Sequence, residues 1–420
     1  HAVFAPVTKA TFRLSAGAAH TIADKAVAIA TEGRMGPVHI DVPISVANAP
    51  VSQTAPAPRA KASPAAPSGS DLATARHWLE NAQRPVMIVG VDALNQHAHT
   101  AVVEFAEDHN IPVITTYKAK GILPEDHALS LGGAGLSPLA DTHLLPFVKA
   151  ADLVLCVGYD PIEMRPGWQD VWDPAQQNVI DISAVPNHHY MHQATLNFVT
   201  DCAASLRALS DGLDVQETWR DGEIYKLKQA LTIDFPNDDD WGPAAVIDTC
   251  RKVLPRDAIA SVDSGAHRIL LSQMWECYAP RDLMQSSALC TMGCAVPMAI
   301  GAKFAAPDRP VVSFCGDAGF LMVAGELATA AELDVAPIFV VFVDASLALI
   351  EKKQRERQLP NIGVDFAQHN FAAMGVAFGG AGVTVRNRAA LETALNDALK
   401  AETFTVIAAI IDQGAYDGRI

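Results

Sequence analysis

The chain has 420 residues, half of them apolar, and a formal net charge of −16. That length exceeds one ordinary domain and predicts two or three, each with a sizeable core. The acidic balance excludes a nucleic-acid binder, which needs a basic face, and no apolar run is long enough for a membrane span.

The seven cysteines are scattered and show no metal-ligand spacing such as C-x-x-C. Cys290 and Cys294 are the closest pair and read as packing residues, which fits a reducing, cytoplasmic setting. Residue 1 is His1, and no signal-peptide pattern follows it, so the chain reads as processed, truncated or partial.

Residues 1–50 predict a helix, Ala19 to Gly33, and a strand, Pro37 to Pro43, too little for a domain and read as the tail of one. Residues 51–70 are Ala, Pro and Ser with few apolar side chains, a linker composition. Residues 71–212 carry short apolar strands at Pro85–Val91, Ile111–Thr116, Ala151–Val157 and Asn178–Ile182, with a helix at Thr100–His109. Apolar strands alternating with helices predict a doubly wound parallel sheet. No G-x-G-x-x-G follows the first strand, which argues against a nicotinamide site. His188 and His189 are adjacent, point apart in extended chain, and read as surface residues rather than ligands.

Residues 213–242 are polar and end in Asn237-Asp238-Asp239-Asp240. That run lacks the alternation and closing Glu of a calcium loop and reads as a solvated connection. Residues 243–420 repeat the rhythm, with strands at Ala258–Val262, Val311–Phe314, Ile338–Val343 and Thr403–Ile411 and a helical segment from Leu321 to about Leu333. The fold class is therefore α/β: two doubly wound parallel-sheet domains, preceded by the C-terminal remnant of a third.

The most informative stretch is Gly316-Asp317-Ala318-Gly319-Phe320, taken with Val343-Asp344-Ala345-Ser346. Two carboxylates stand at the ends of two strands joined by one crossover, the edge of a parallel sheet where ligands bind. Taken singly, Asp317 also reads as a helix N-cap and Asp344 as a turn residue. Taken together, with a Gly-rich corner between strand and helix, they suit a divalent cation carrying a diphosphate, and the Ser346 carbonyl adds a third protein ligand.

These residues, with Glu326-Leu327-Ala328-Thr329-Ala330, resemble the cofactor motif of the acetolactate synthase and pyruvate oxidase superfamily of thiamine-diphosphate enzymes. Thr291-Met292-Gly293-Cys294-Ala295-Val296-Pro297 is similar to another segment of that family, and Asp263-Ser264-Gly265-Ala266-His267 to its diphosphate-contacting loop. Gly36-Pro37-Val38-His39-Ile40-Asp41-Val42-Pro43 resembles the end of its pyrimidine-binding domain, and Ala151 to Glu163 its central domain. The resemblance implies a diphosphate-binding domain over 243–420 and a central domain over 71–212. It implies Mg²⁺ on Asp317, Asp344 and the Ser346 carbonyl. Gly265, Ala266, His267, Gly316, Ala318 and Gly319 face the diphosphate, with Gly293 and Ala345 in the same motifs. Met292 lies beneath the thiazolium, the Cys290 carbonyl accepts from the aminopyrimidine, Leu349 and Ile350 line the thiazolium pocket, and Lys353 and Gln354 point toward the substrate entrance. The bland alternatives are core packing for Met292, a helix cap for His267 and a solvated helix face for Glu351 to Arg357.

The sequence departs from the family pattern at Ala318, Asp344, Ser346 and Cys290, where Gly, Asn, Gly and Gly are common. The implied activity is decarboxylation or carboligation of a 2-oxo acid such as pyruvate, in a homodimer or tetramer. A lyase or acyltransferase acting on another donor, and a non-catalytic binding protein, are the alternatives. FAD, held in the central domain of some relatives, is not expected. No residue here takes the part of the family's catalytic glutamate. It is expected upstream, so the chain by itself is expected to be inactive and to need a chain or segment carrying the pyrimidine-binding domain.

Overall fold

A computed structural model describes the chain except residues 52, 53, 55, 56, 58–62, 188, 190, 215, 216, 287 and 288. Much of the expected 51–70 linker, and His188, thus lie outside the described residues. No described helix is long and apolar enough to cross a membrane.

Three parallel sheets carry the fold. β1 (Ala10–Arg13) pairs with β2 (Val38–Asp41) in a two-stranded sheet, with the helix Ala19–Thr31 between them in sequence. The middle sheet holds β3 (Pro85–Val89), β4 (Val113–Thr116), β5 (Ser130–Ala134), β6 (Leu153–Val157), β7 (Asn178–Ser183) and β8 (Leu196–Val199). Its order is β5-β4-β3-β6-β7-β8. The C-terminal sheet holds β9 (Ile259–Val262), β10 (Leu283–Gln285), β11 (Val311–Gly316), β12 (Ile338–Val343), β13 (Ala381–Val385) and β14 (Thr405–Ile410). Its order is β10-β9-β11-β12-β14-β13.

The central strands formed where expected because their residues are apolar on both faces. Every residue of β3, β6 and β12 is buried, as a sheet covered by helices on both sides requires. β1, β5, β8, β10 and β13 were not foreseen. They are short, and β5 and β13 contain glycine, so no local pattern marks them. All five sit at sheet edges, and for β5, β8, β10 and β13 pairing to an interior strand supplies the order their own sequence does not.

Two expectations for the helices need correction. The 213–242 stretch is not only a connection: Glu223–Asp234 is a helix, with Leu227 buried and Ile224 and Leu231 packed on the core. Its sparse apolar stripe is weak in sequence and is stabilised by tertiary packing. The helical segment after β11 begins at Asp317, not Leu321, and is two helices, Asp317–Val323 and Glu326–Glu332. The Asn237–Asp240 run is more than a solvated face. The Asn237 and Asp239 carbonyls accept from Arg388, and the Asp239 carboxylate pairs with Arg419.

The middle and C-terminal sheets share one continuous core. Polar ties cross the seam: Gln285 donates to the Tyr117 carbonyl at 2.7 Å and Gln273 to that of Gly133 at 2.9 Å. The Cys277 N–H donates to the buried Glu125 carboxylate at 2.7 Å. Glu125 in turn pairs with Lys120 at 2.6 Å.

Candidate functional site

Three neighbouring strands of the C-terminal sheet, β9, β11 and β12, each run into an aspartate at the same edge: Asp263, Asp317 and Asp344. All three are buried, at 1%, 2% and 9% exposure. Parallel order makes this convergence unavoidable, since the C-terminal ends of adjacent parallel strands lie together.

The Asp317 carboxylate accepts the N–H of Ala318 at 2.7 Å and of Ala345 at 2.8 Å, so it ties the end of β11 to the end of β12. Asp344 accepts the N–H of Ser346 at 3.2 Å. Neither forms a salt bridge among the described residues. Burial raises the Asp317 pKa above the usual carboxylate range. Burial, and then the negative charge of Asp317, pushes Asp344 up to about 7. Two buried carboxylates side by side without a cation are costly when ionised, and a divalent ion removes that cost.

A cleft of about 160 Å³ opens over this edge. Its wall includes Gly265, Ala266, His267, Met292, Gly316, Ala318, Gly319, Leu349 and Ile350, together with Asp317, Asp344 and Ser346. Cys290, Gly293 and Ala345 are not part of its wall, though Gly293 and Ala345 donate to Asp263 and Asp317 beside it. Lys353 is exposed, and Gln354 turns away to donate to the Ile362 carbonyl at 3.2 Å. The helix Ala348–Glu356 has no buried residue and carries the Arg355–Glu351 and Lys352–Glu356 pairs, in keeping with a solvated face. His189 is exposed.

Asp263 was not singled out, although it ends a strand just as Asp317 and Asp344 do. One of its oxygens contacts the His267 ring nitrogen at 2.7 Å, and the other accepts the Gly293 N–H at 2.7 Å. It therefore places His267, whose ring stacks on Phe342, and the loop that carries Met292. The close approach demands glycine. A Cβ at Gly319 would sit 2.0 Å from Asp263 Oδ2, and Gly293 has φ +78° with its own Cβ position 3.0 Å from the Gly319 carbonyl. Ser264, Phe342, Leu347, Ala348 and Tyr416 complete the wall and were not expected. Tyr416 comes from the C-terminal turn, far from any motif.

The residues present fit a metal-bound diphosphate. The glycine and alanine corner leaves room for one, the carboxylate pair needs a cation, and the Ser346 hydroxyl is buried without a partner among the described residues.

Residues 263–409 match the family described as "Thiamine pyrophosphate enzyme, C-terminal TPP binding domain", and residues 72–209 match "Thiamine pyrophosphate enzyme, central domain". The chain belongs to the thiamine-diphosphate-dependent enzymes. It is 27% identical over 428 residues to "Acetolactate synthase, catabolic" of Raoultella terrigena, covering 98% of this chain and 75% of the relative. It is 29% identical over 394 residues to "Acetolactate synthase" of Bacillus subtilis, covering 91% and 68%. It is 31% identical over 418 residues to "Acetolactate synthase large subunit" of Parasynechococcus marenigrum, covering 94% and 66%. This thiamine-diphosphate enzyme therefore spans about two thirds to three quarters of the length of these relatives. The strand-end carboxylates Asp263, Asp317 and Asp344 all lie within the residues matched by the C-terminal family.

A pH dependence follows for this thiamine-diphosphate enzyme. Asp344 has a folded pKa of about 7 against an ordinary 3.8, and a metal takes the ionised form. On the metal role proposed below for Asp344, Mg²⁺ affinity is expected to fall by about tenfold per pH unit below 7 and to level off above it. For folding the sign is opposite. A raised carboxylate contributes stability that is present below its unfolded pKa and lost as pH rises through its folded value. The metal-free protein is thus expected to lose stability between about pH 4 and 7 from this group, and Mg²⁺ to restore it. Calorimetric Mg²⁺ titrations across that range, in buffers of different ionisation enthalpy, check the expected proton release.

Proposed function

We propose that the chain supplies the diphosphate- and metal-binding half of a thiamine-diphosphate-dependent decarboxylase or carboligase acting on a 2-oxo acid, in the manner of an acetolactate synthase. The observation that carries this is the pair of buried carboxylates, Asp317 and Asp344, without a cation partner among the described residues and opening on a glycine-lined cleft. When bound, thiamine diphosphate supplies a carbon nucleophile and an electron sink for the carboxylate lost from the substrate.

The chain's own residues bind and shape. Asp317, Asp344 and the Ser346 carbonyl hold Mg²⁺. Backbone N–H groups of the Gly265–His267 and Gly316–Gly319 corners meet the diphosphate. Met292, Leu349 and Ile350 keep the ring side of the cleft apolar and dry. Asp263 orients His267 and Gly293. The carbonyl of Cys290 accepts from the aminopyrimidine.

No glutamate lines the cleft among the described residues. The proton-moving glutamate is supplied by a pyrimidine-binding domain on another segment or chain, in a homodimer or tetramer. The two-stranded β1–β2 sheet supports this. Its unit carries exposed Val3, Val7, Val27, Val42 and Ile44, whereas parallel sheets are ordinarily covered on both faces. One relative is named a large subunit, which also agrees with a partner chain.

FAD has no place in this reading. In the middle sheet the strand order turns at β3 and β6, where a dinucleotide would lie. The loops after these strands touch: a Cβ at Gly90 would sit 2.4 Å from the Gly158 carbonyl. Asp92 and Asp160 occupy the crevice, paired with Arg34 at 2.8 and 2.7 Å. The buried Glu163 is beside them. These carboxylates oppose a dinucleotide diphosphate.

The test is CO₂ release from pyruvate with Mg²⁺, thiamine diphosphate and a pyrimidine-binding domain supplied. Turnover is expected only with all of them, from a preparation with no flavin absorption band. A panel of 2-oxo acids and other acyl donors that gives no turnover with any 2-oxo acid overturns the reading. Turnover of another donor alone points to a lyase or acyltransferase, and failure to bind the cofactor to a non-catalytic protein.

A further inference from the structure

Tyr416 reaches the cleft from a part of the chain that no motif marked. After β14, Ile411 donates its N–H to the Val343 carbonyl at 3.0 Å, so the chain leaves the sheet beside the end of β12, next to Asp344. It then folds into successive turns, with Ala415 donating to Asp412 at 3.2 Å, Asp417 to Gly414 at 2.9 Å and Arg419 to Tyr416 at 3.1 Å. Beyond Tyr416 the chain is pinned by two ion pairs. Asp417 pairs with Arg355 at 2.8 Å, and Arg419 pairs with Asp239.

Between the Ile411 tie and these ion pairs the Tyr416 ring is 4% exposed and packs in the core. It lines the cofactor cleft and also an adjoining polar cleft of about 210 Å³, and the two meet at Ser346, Ala348 and Tyr416. Its hydroxyl has no hydrogen-bond partner among the described residues. Burial, and then the charges of Asp344, Asp317 and Asp263, hold its pKa well above the ordinary value, so the phenol is a neutral donor.

A tyrosine hydroxyl ordinarily finds a partner, and this one is not sealed away with its ring but opens on the cleft, free to donate to what binds there. The nearby carboxylates spend oxygens on backbone N–H groups, and by the reading above on a metal. The acceptor left is an anion that arrives with the metal. We propose that the Tyr416 hydroxyl donates a hydrogen bond to the diphosphate–metal unit held by Asp317 and Asp344, which makes the C-terminal turn part of the cofactor site. This inference rests on the proposed function. A phenol suits the place because it adds a donor without adding charge. A lysine there would pair with the aspartates and compete with the metal.

The test uses the purified chain, its Tyr416→Phe variant, and two probes with Mg²⁺: thiamine diphosphate and inorganic diphosphate, which lacks the rings. Calorimetric titration is expected to show both probes binding the variant about ten- to a hundredfold more weakly, as loss of a hydrogen bond to a charged group implies. Both proteins are titrated well below the lower of their melting midpoints, so that any loss of ligand-free stability is kept apart from loss of binding. Equal affinities in the two proteins overturn the inference and leave the proposed function standing. So does a loss confined to thiamine diphosphate, because the hydroxyl would then serve the rings. If the unsubstituted chain binds neither probe, the proposed function fails first and this inference with it.

Discussion

Replacing Asp317 with alanine is expected to abolish binding of Mg²⁺ and thiamine diphosphate. The side chain does two jobs. It is one of two carboxylates proposed to hold the metal, and its oxygens accept the N–H groups of Ala318 and Ala345 at 2.7 and 2.8 Å. Alanine removes the ligand and leaves two backbone donors at the strand ends unmet. Asp317→Asn separates these effects. It keeps the shape and one acceptor oxygen, but loses the charge that a divalent cation requires. A ligand present at about 100 times its Kd stabilises the protein that binds it by about 2.7 kcal/mol. The unsubstituted chain is expected to gain that much in a thermal melt with Mg²⁺ and thiamine diphosphate, and both variants to gain nothing. The Asn variant carries a second signature. With its charged neighbour gone, Asp344 should titrate lower than about 7. An Asp317→Ala protein that still gains the full increment would remove the metal role.

The second large effect lies at the seam between the sheets. Lys120 and Glu125 are both buried and paired at 2.6 Å, with side chains 2% and 6% exposed. The other Glu125 oxygen accepts the Cys277 N–H at 2.7 Å, and the Glu125 N–H donates to the Cys277 carbonyl at 3.0 Å, so the pair fastens the middle sheet to the C-terminal one. Lys120→Met strands a carboxylate in the interior and is expected to cost about 3–5 kcal/mol. The double change Lys120→Met with Glu125→Leu removes both charges. It should recover much of that loss, since well-packed apolar residues often replace a buried pair at little cost. Denaturant melts of the two proteins give the comparison. Little loss in Lys120→Met with a large loss in the double variant would mean that the Glu125 tie to the Cys277 N–H, not the charge pairing, holds the seam.

These two sites differ in how far the sequence revealed them. Asp317 and Asp344 were legible because each ends a run of apolar residues, and runs such as Ile338 to Val343 have one structural outcome in a parallel sheet. Lys120 and Glu125 were not legible. Both lie in a loop of ordinary polarity, and nothing local says that a second sheet will bury them. The same holds for Asp263. It stood at a strand end in plain view, but its function is to bridge His267 and Gly293, and Gly293, 30 residues on, reaches it only once the chain has folded. The helix Glu223–Asp234 was hidden for a related reason: its apolar stripe is too thin to fold by itself and is stabilised by the core it covers.

The sequence by itself determined the α/β class, the interior strands and the small-residue corners around two aspartates. Each of these follows from interactions within a few residues, through side-chain periodicity, burial on both faces of a strand, and the steric freedom of glycine. The tertiary structure decided which strand ends meet. It set Asp317 against Asp344 closely enough to raise the latter's pKa, closed the middle-sheet crevice with Arg34, and carried Tyr416 from the C-terminal turn to the cleft. Those outcomes depend on strand order and on contacts between residues far apart in the chain, and neither is encoded in any single stretch of it.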